Sequence, residues 1–182
     1  MKKYYLDLHL HSKHSRAVSR DMDLEHMEKA AKQKGIDVVG TGDFTHPEWS
    51  SEIKSKLKET ADGVYKLSAA SPVQFLISGE ISCIYKQGNK TRKIHVVVIP
   101  STIEAAIKIN LVLSWIGNIK SDGRPILGTD VRSLASDIWR QDPQALIIPA
   151  HVWTPWFSLY GSNSGFDSIG EAFGELKDKI LL

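Results

Sequence analysis

The beginning of the chain alternates between apolar and polar residues. Between residues 4 and 11, one side of the alternation carries Leu6, Leu8 and Leu10, and the other carries Asp7, His9 and His11. A period of two is typical of a half-buried β-strand, because successive side chains point to opposite faces of a sheet. The polar face of this predicted strand is unusual, since it presents two histidines.

Downstream, the pattern predicts strands that alternate with helices. A helix with Asp23 as its N-cap runs to Lys34, Gly35 follows its end, and residues 36–44 then form a buried strand. A strand, a helix and a second strand in this order predict parallel pairing. The remaining predictions, in chain order, are a helix over 48–68, strands over 73–85 and 92–100 that pair as a hairpin around KQGNKT, helices over 102–120 and 130–141, a buried strand over 145–152, an aromatic and Gly/Ser-rich loop over 153–168, a helix to about Lys179, and the opening of another strand at ILL. This alternation indicates an α/β fold, either a barrel or a layered sheet.

Composition and charge narrow the class of protein. The chain has 182 residues, 42% of them hydrophobic, which suits a single domain with one core. Its net charge of +2 lacks the basic excess of proteins that bind nucleic acid by charge alone, so any DNA contact must come from local patches. The one cysteine, Cys83, excludes a disulfide framework, and no apolar run approaches the roughly 20 residues needed to cross a bilayer. Since the first residues also lack the apolar segment of a signal peptide, we expect a cytoplasmic protein without a membrane partner.

Side chains that suit a metal ion recur at or near the ends of the predicted strands. His9 and His11 lie two residues apart on one strand face, so both imidazoles can reach one ion. The other candidates are Asp43, His46, Glu80, His95 and His151. Because the carboxyl ends of parallel strands share one rim of a barrel, we expect residues distant in sequence to converge there. We therefore predict a metal site, and Glu80 and His95 strengthen it because they interrupt apolar strands where an unpaired polar group is costly.

The types of ligand predict the chemistry of this site. Imidazole and carboxylate donors without thiolate suit zinc, manganese or iron, and magnesium is also compatible. The candidates exceed what one tetrahedral ion needs, and a carboxylate such as Glu80 can bridge two ions. A pair of ions can activate water and stabilise the leaving oxygen of a phosphoester. Hydrolysis of a phosphoester is therefore the favoured reaction, with Glu80 and Asp43 as the candidate catalytic residues.

The order and spacing of these motifs resemble a known superfamily. DLHLHS at 7–12, GTGDFTHP at 40–47, GE at 79–80, the strand around His95 and PAH at 149–151 resemble the successive metal motifs of the PHP (polymerase and histidinol phosphatase) superfamily. More narrowly, GTGDFTHPEW at 40–49 and HVWTPWFSLYGSNSGFDS at 151–168 resemble the endonuclease Q family. Many PHP proteins have a histidine directly after the motif aspartate, whereas this chain has Phe44 there and His46 two residues further on.

The resemblance implies both a fold and an activity. The fold is a PHP-type distorted (β/α) barrel that holds two or three divalent metal ions. The activity is cleavage of DNA on the 5′ side of uracil, hypoxanthine, xanthine or an abasic site. By motif, metal ligation is carried to His9, His11, Glu80, His95 and His151. Asp43 and His46 either bind metal or hold a ligand or water in orientation.

Two further histidines fall outside these motifs. His14 is expected to be an exposed loop residue, and ligation of a third ion is the alternative. His26 lies within a predicted helix and is expected on its surface.

Aromatic and basic residues are the candidates for DNA contacts. The aromatic side chains either stack on or wedge beside an extruded nucleotide, or pack in the core beneath their loop; they are Trp153, Trp156, Phe157 and Tyr160. The basic side chains either meet phosphates or are simply solvated; they are Lys13, Lys86, Lys90, Arg92 and Lys93.

The superfamily's final Asp-x-His motif and the cysteine-rich zinc-binding part of endonuclease Q are both absent from residues 1–182. We therefore expect residues 1–182 to form one PHP metal-binding domain, the N-terminal part of such a protein, with a barrel that is incomplete at its C-terminal end and exposes strand edges. Three functions stay open: a DNA repair endonuclease or a truncated form of one, a PHP-type phosphatase acting on a small phosphomonoester, and a non-catalytic remnant that binds metal or partners. The sequence does not predict an oligomeric state.

Overall fold

The chain folds into nine strands and five α-helices over the residues that the computed structural model describes, 3–16 and 18–182. The strands are β1 (Leu6–Asp7), β2 (Val38–Gly40), β3 (Lys58–Ala61), β4 (Val64–Lys66), β5 (Gln74–Leu76), β6 (Gly79–Gln87), β7 (Lys90–Ile99), β8 (Ile126–Leu127) and β9 (Leu146–Pro149). The helices are α1 (Leu24–Lys34), α2 (Pro47–Lys56), α3 (Ile103–Ile116), α4 (Val131–Gln141) and α5 (Ile169–Phe173), and a 3-10 helix (Gly174–Lys179) follows α5.

The strands form two sheets. The first has the order β1-β2-β5-β4-β3, and the second has the order β8-β6-β7-β9. β1 and β2 are parallel, which confirms the pairing predicted from the strand, helix, strand order. β6 and β7 form the predicted hairpin, and their antiparallel register runs from Gly79 opposite Val98 to Gln87 opposite Lys90. The α/β prediction is confirmed, but the described strands do not close into a barrel, so the PHP-type barrel stays a prediction.

The first helix begins and ends where its sequence predicted. The side chain of Asp23 accepts a hydrogen bond from the backbone N–H of His26, which satisfies a donor at the start of α1. Gly35 ends the helix in the left-handed conformation, with φ of 70°.

The strand predicted over residues 4–11 is limited to Leu6–Asp7, so His9 and His11 follow the strand and do not lie on it. Two further elements differ from the prediction because long-range pairing overrides the local pattern. The helix expected over 48–68 ends at Lys56, and the chain then forms the antiparallel hairpin of β3 and β4 around Gly63, whose φ is 69°. The strand expected over 73–85 is two strands, since β5 pairs with β2 in the first sheet and β6 pairs with β7 in the second. The chain thus passes from one sheet to the other just before Glu80.

One hydrophobic core joins both sheets to all five helices. Its fully buried large side chains include Trp49, Phe44, Phe75, Phe173 and Leu113. Burying a side chain of this size contributes roughly 1.5–3 kcal/mol each. Within residues 3–16 and 18–182, no helix has the length and apolar character needed to cross a membrane.

The end of the chain lies beside an edge strand. Residues 180–182 do not form the predicted strand, but the backbone N–H of Leu181 donates to the carbonyl oxygen of Ile147 in β9. β9 is the outer strand of the second sheet, and β1 is the outer strand of the first. The polar residues that follow these two outer strands meet at the candidate site.

Candidate metal centre

Four histidines surround the carboxylate of Glu80. Oε1 of Glu80 lies 3.2 Å from Nε2 of His9, 3.0 Å from Nδ1 of His95 and 3.2 Å from Nε2 of His151. Oε2 lies 3.3 Å from Nε2 of His11. The structure therefore brings together the five residues to which the resemblance assigned metal ligation.

The topology explains this convergence. Glu80 lies on β6 opposite Val97, and His95 is two residues before Val97 on β7, so both side chains leave the same sheet face as diagonal neighbours. His9 follows β1 and His151 follows β9, the outer strands of the two sheets. The site therefore lies where the two sheets approach each other.

Hydrogen bonds from the surrounding histidines keep the central carboxylate ionised although it is buried. Only 1% of the Glu80 side chain is exposed, and this burial by itself raises its pKa. Hydrogen bonds from His11, His9 and His95 outweigh burial and hold the pKa of Glu80 far below its usual range. Burial also lowers the pKa of His95, which keeps its imidazole in the neutral form that binds metals.

The donor set fits divalent metal ions. Two groups of three side chains have donor atoms within 4.8 Å of one another, namely His9, His11 and Glu80, and Glu80, His95 and His151. Both groups share Glu80, as expected for a carboxylate between two ions. His9 and His151 are about one-third exposed, at 37% and 34%, so the cluster is open to solvent on one side.

Asp43 and Glu80 face different nitrogens of the His11 ring. Its carboxylate is fully buried, and Oδ1 lies 3.0 Å from Nδ1 of His11. Oδ2 accepts from the backbone N–H of Ser12 at 2.6 Å, and from the hydroxyls of Ser12 and Ser15 at 2.8 and 2.9 Å. Of the two roles left open for Asp43, the geometry favours orientation of His11 over ligation, because its oxygens already serve four donors.

The local backbone and Asp43 together set the protonation of the His11 ring. Gly42 and Asp43 both have positive φ, at 64° and 47°, which turns the Asp43 carboxylate inward from the end of β2. Hydrogen bonds to Asp43 and then Glu80 raise the pKa of His11 to about 9. A proton on Nδ1 that faces Asp43 leaves Nε2 as the nitrogen that faces the cluster.

His46 and His14 form a separate pair. Their rings stack with centroids 4.3 Å apart, and Nδ1 of His14 lies 3.9 Å from Oε2 of Glu48. The His46 side chain is buried at the start of α2, and its Nδ1 has no hydrogen-bond partner within the described part of the chain. His14 is half-buried, so the expectation of an exposed loop residue is wrong. His26 is on the surface of α1, as expected.

Arg124 reaches the cluster although no pattern in the sequence pointed to it. Its Nη1 lies 3.0 Å from Oε2 of Glu80. The preceding residue, Gly123, is so close to Asp43 that a Cβ there would lie 2.2 Å from Oδ2. Arg124 stands in an irregular segment between α3 and β8, and a lone arginine in a loop has no periodicity that would mark it.

Two of the four predicted DNA-binding aromatics are exposed, and Phe157 and Tyr160 are half-buried. Trp153 and Trp156 are 77% and 50% exposed, and Trp153 lies against Tyr160 with ring centroids 5.0 Å apart. Phe157 instead packs on His95 at 4.6 Å, and its φ of 60° is unusual for a bulky residue. The loop therefore offers two tryptophan rings to solvent and uses Phe157 to support the cluster.

The basic candidates divide into paired and available side chains. Lys13 forms an ion pair of 2.8 Å with Glu52 and lies over Trp49, so it is attached to α2. Lys93 lies over the Trp156 ring at 4.9 Å. Arg92 lies over Phe166 and donates to the carbonyl oxygen of Gly165. Lys86 and Lys90 are both exposed near the turn of the hairpin.

The chain is similar in sequence to two proteins that are longer than it is. The chain is 30% identical over 179 residues to the uncharacterized protein MJ0043 of Methanocaldococcus jannaschii, and it covers 19% of that protein. It is 29% identical over 174 residues to the uncharacterized protein YqxK of Bacillus subtilis, and it covers 43% of it. The chain thus spans less than half the length of the curated relatives it matches. No protein-family model matches it.

Solved structures give the clearest similarity. The fold matches the crystal structure of the lesion-specific endonuclease PfuEndoQ from Pyrococcus furiosus with a TM-score of 0.78 and 32% identity, over 93% of this chain and 39% of that one. A complex of endonuclease Q with a 27-mer duplex substrate that has an abasic lesion at the active site matches with the same TM-score, over 40% of that chain. In fold and in sequence, this chain is similar to endonuclease Q, which confirms the resemblance carried by GTGDFTHPEW and HVWTPWFSLYGSNSGFDS.

Proposed function

We propose that this chain forms the metal-binding catalytic part of a DNA repair endonuclease that nicks DNA 5′ of a deaminated base or an abasic site. The observation that carries the proposal is the carboxylate of Glu80 with four imidazoles around it, within 3.0 to 3.3 Å. Such a donor set without thiolate suits hydrolytic divalent ions. We further propose that two ions share Glu80 and that the described strands are part of a PHP-type barrel.

The residues around Glu80 have distinct roles in this mechanism. His9 and His11 would hold one ion together with Glu80, and His95 and His151 would hold a second one. Bound ions would supply a water of lowered pKa and neutralise charge on the phosphoester. Asp43 keeps the proton of His11 on Nδ1, so that Nε2 stays free to bind.

The surroundings of the cluster support a polymeric substrate. One side of the site is open, and the exposed rings of Trp153 and Trp156 stand on the loop that begins at His151. Stacking on aromatic rings holds nucleotides without regard to sequence. The ammonium of Lys93 beside Trp156 adds a cation for a phosphate. The match to endonuclease Q bound to a duplex with an abasic lesion supports the same class of substrate.

The direct test is cleavage of end-labelled duplex DNA that contains one deoxyuridine or one abasic site, with manganese, zinc or magnesium added. We expect a metal-dependent nick 5′ of the lesion, and no nick in an undamaged duplex. His9→Ala and Glu80→Gln should abolish the nick, because each removes a donor from the cluster. His26→Ala is the matched control, since that histidine lies on the surface of α1.

Three other outcomes would count against the proposal. A nick that survives Glu80→Gln would place the chemistry elsewhere. Cleavage of a chromogenic phosphomonoester without action on damaged DNA would select the small-molecule phosphatase. Bound metal without cleavage of either substrate would favour the non-catalytic alternative for this chain.

A further inference from the structure

A cavity adjoins the cluster beside His95. Its volume is about 450 Å³, and its floor is a row across three strands, Ile126 on β8, Ser82 on β6 and His95 on β7. Ser82 lies two residues after Glu80 on the same face of β6, so the cavity begins at the next side chain on that face after the central carboxylate. Phe157, which packs on His95, also lines it. The volume falls within the range of small-ligand sites.

The floor of this cavity has an unsatisfied polar atom. Ser82 is 1% exposed, and its hydroxyl has no hydrogen-bond partner among residues 3–16 and 18–182. Buried hydroxyls are nearly always hydrogen-bonded, because an unpaired one loses its hydration without compensation. A hydroxyl without a partner on a cavity floor therefore points to a ligand oxygen.

The wall of the cavity contains the positively charged side chain of Arg124, and backbone hydrogen bonds hold the residues on both sides of it. The carbonyl oxygen of Pro125 accepts from the backbone N–H of Ser82 at 3.0 Å. Gly123 donates its backbone N–H to the carbonyl oxygen of His14 at 3.0 Å. Between these two anchors, the Arg124 side chain is 41% exposed and ends on Oε2 of Glu80. The guanidinium can therefore turn between the carboxylate and the cavity without movement of the main chain.

The acidic residue in this wall is neutralised. Oδ1 of Asp122 accepts from the backbone N–H of Arg124 at 3.0 Å, and Oδ2 lies 3.4 Å from Nε of Arg16. The charged side chains that line the cavity are thus two arginines, Arg16 and Arg124, and one aspartate, Asp122. The balance favours an anion.

We propose that Arg124 and Ser82 form a binding site for a phosphate group, in which the guanidinium and the hydroxyl donate to oxygens of a phosphoester held against the cluster. The site rests on the proposed function, because Glu80 would share its negative charge with a bound divalent ion, and Arg124 would then be available to the cavity. Arginine suits this role because its planar donors match two phosphate oxygens at once. The phosphate belongs either to a DNA strand or to a small phosphomonoester.

Binding of inorganic phosphate to the metal-loaded full chain tests the site without catalysis. Metal content is first measured by elemental analysis, and phosphate binding is then followed by equilibrium dialysis. We expect Arg124→Gln to weaken phosphate binding by about 10- to 100-fold and Ser82→Ala by about 3- to 10-fold, with metal content unchanged. Arg140→Gln is the matched control, because Arg140 lies exposed on α4 beside Asp137.

Two results would overturn the site. Phosphate affinity that is equal in the wild type and Arg124→Gln would show that the guanidinium does not bind the anion. Loss of metal from Arg124→Gln would make Arg124 a structural partner of Glu80. Arg124→Lys keeps the positive charge but lacks the planar pair of donors. We therefore expect its affinity for phosphate to lie between those of the wild type and Arg124→Gln.

Kinetics identify the source of the phosphate. If the ligand is a DNA phosphodiester, Arg124→Gln should lower kcat/KM for nicking of lesion-containing DNA by at least the loss in phosphate affinity. If the ligand is a small phosphomonoester, the same loss should appear with a chromogenic phosphomonoester instead. Phosphate binding that depends on Arg124 in a chain that nicks no DNA would leave the site standing and refute the nuclease. If Arg124→Gln affects neither nicking of DNA nor cleavage of the phosphomonoester, the site is refuted, and nicking of DNA would still support the nuclease.

Discussion

Replacement of Asp43 by asparagine isolates the role of this carboxylate, because it changes one oxygen into an amide nitrogen without changing size. Oδ2 of Asp43 accepts from three donors on Ser12 and Ser15, whereas Oδ1 faces only Nδ1 of His11. In Asp43→Asn, the amide oxygen is therefore expected to take the place with three donors, which turns the NH₂ group toward His11. Since that NH₂ group donates, Nδ1 must accept and the His11 proton moves to Nε2.

The expected loss of metal affinity in Asp43→Asn follows from the position of Nε2 of His11. This nitrogen lies 3.3 Å from Oε2 of Glu80, and a proton there blocks its lone pair from a metal ion. Loss of a residue that orients a metal ligand typically costs about 10- to 100-fold in metal affinity. We expect Asp43→Asn to weaken binding at the His9, His11 and Glu80 group by this factor, about 1.4–2.7 kcal/mol.

Competition with a chromophoric chelator measures the affinity, and nitrogen-15 spectra of the histidine rings report the tautomer. The raised pKa of His11 should also fall toward its usual value, since its hydrogen bond to Asp43 is the largest cause of the shift. Asp137→Asn is the control, because Asp137 pairs with Arg140 on α4, away from the cluster. Metal affinity that is unchanged, or an Nδ1–H tautomer retained in Asp43→Asn, would refute the reasoning.

Three further predictions concern the same region. Because the folded metal-free chain holds the pKa of His11 near 9, metal affinity should rise about 10-fold per pH unit between pH 7 and 9. The raised pKa of His11 stabilises the metal-free fold fully below pH 6.5, and this stabilisation is lost as the pH rises through 9. A metal affinity that does not change with pH in chelator titrations would contradict the first expectation, and a melting temperature that does not change with pH would contradict the second. Gly123→Ala places a Cβ 2.2 Å from Oδ2 of Asp43, so we expect a loss of about 1–3 kcal/mol in urea unfolding together with weaker metal binding. Gly128→Ala, whose Cβ meets no described atom within 4 Å, should stay within about 0.5 kcal/mol, and equal effects of the two substitutions would argue against the close contact. Trp49→Phe removes an indole N–H that donates to the carbonyl oxygens before Asp43, and an unfolding free energy lowered by about 1–3 kcal/mol is expected; an unchanged urea midpoint would show that this bond is not needed.

Several features of the fold follow from short-range pattern alone. The helix from Leu24 to Lys34 is specified by an N-cap aspartate, an amphipathic stretch and a glycine in the left-handed conformation, and all of these signals lie within or directly beside the helix itself. The hairpin of β6 and β7 likewise follows from two apolar runs around a polar turn. In the site, the pair of histidines two residues apart and the polar residues in or beside apolar strands are enough to identify His9, His11, Glu80, His95 and His151 as candidate ligands.

The division of the strands between two sheets was decided only in the tertiary structure. Residues 73–85 look like one continuous apolar strand, but β5 and β6 find partners in different sheets, because pairing depends on strands far away in the sequence. The same holds for residues 58–66, where a charged stretch compatible with a helix pairs as a hairpin beside β5.

The roles of individual side chains around Glu80 were also decided in three dimensions. Asp43 and His46 share one motif, yet a backbone with positive φ turns Asp43 behind His11, while His46 begins α2 and stacks on His14. Arg124 comes to Glu80 from a loop 44 residues downstream, through close packing of Gly123 on Asp43. The sequence by itself determined which residue types can bind metal and which strands they lie on or follow, because strand periodicity is local. The approach of the two sheets decides which of these residues meet at Glu80 and brings Arg124 to them. That approach is set by packing between segments that are distant in the sequence.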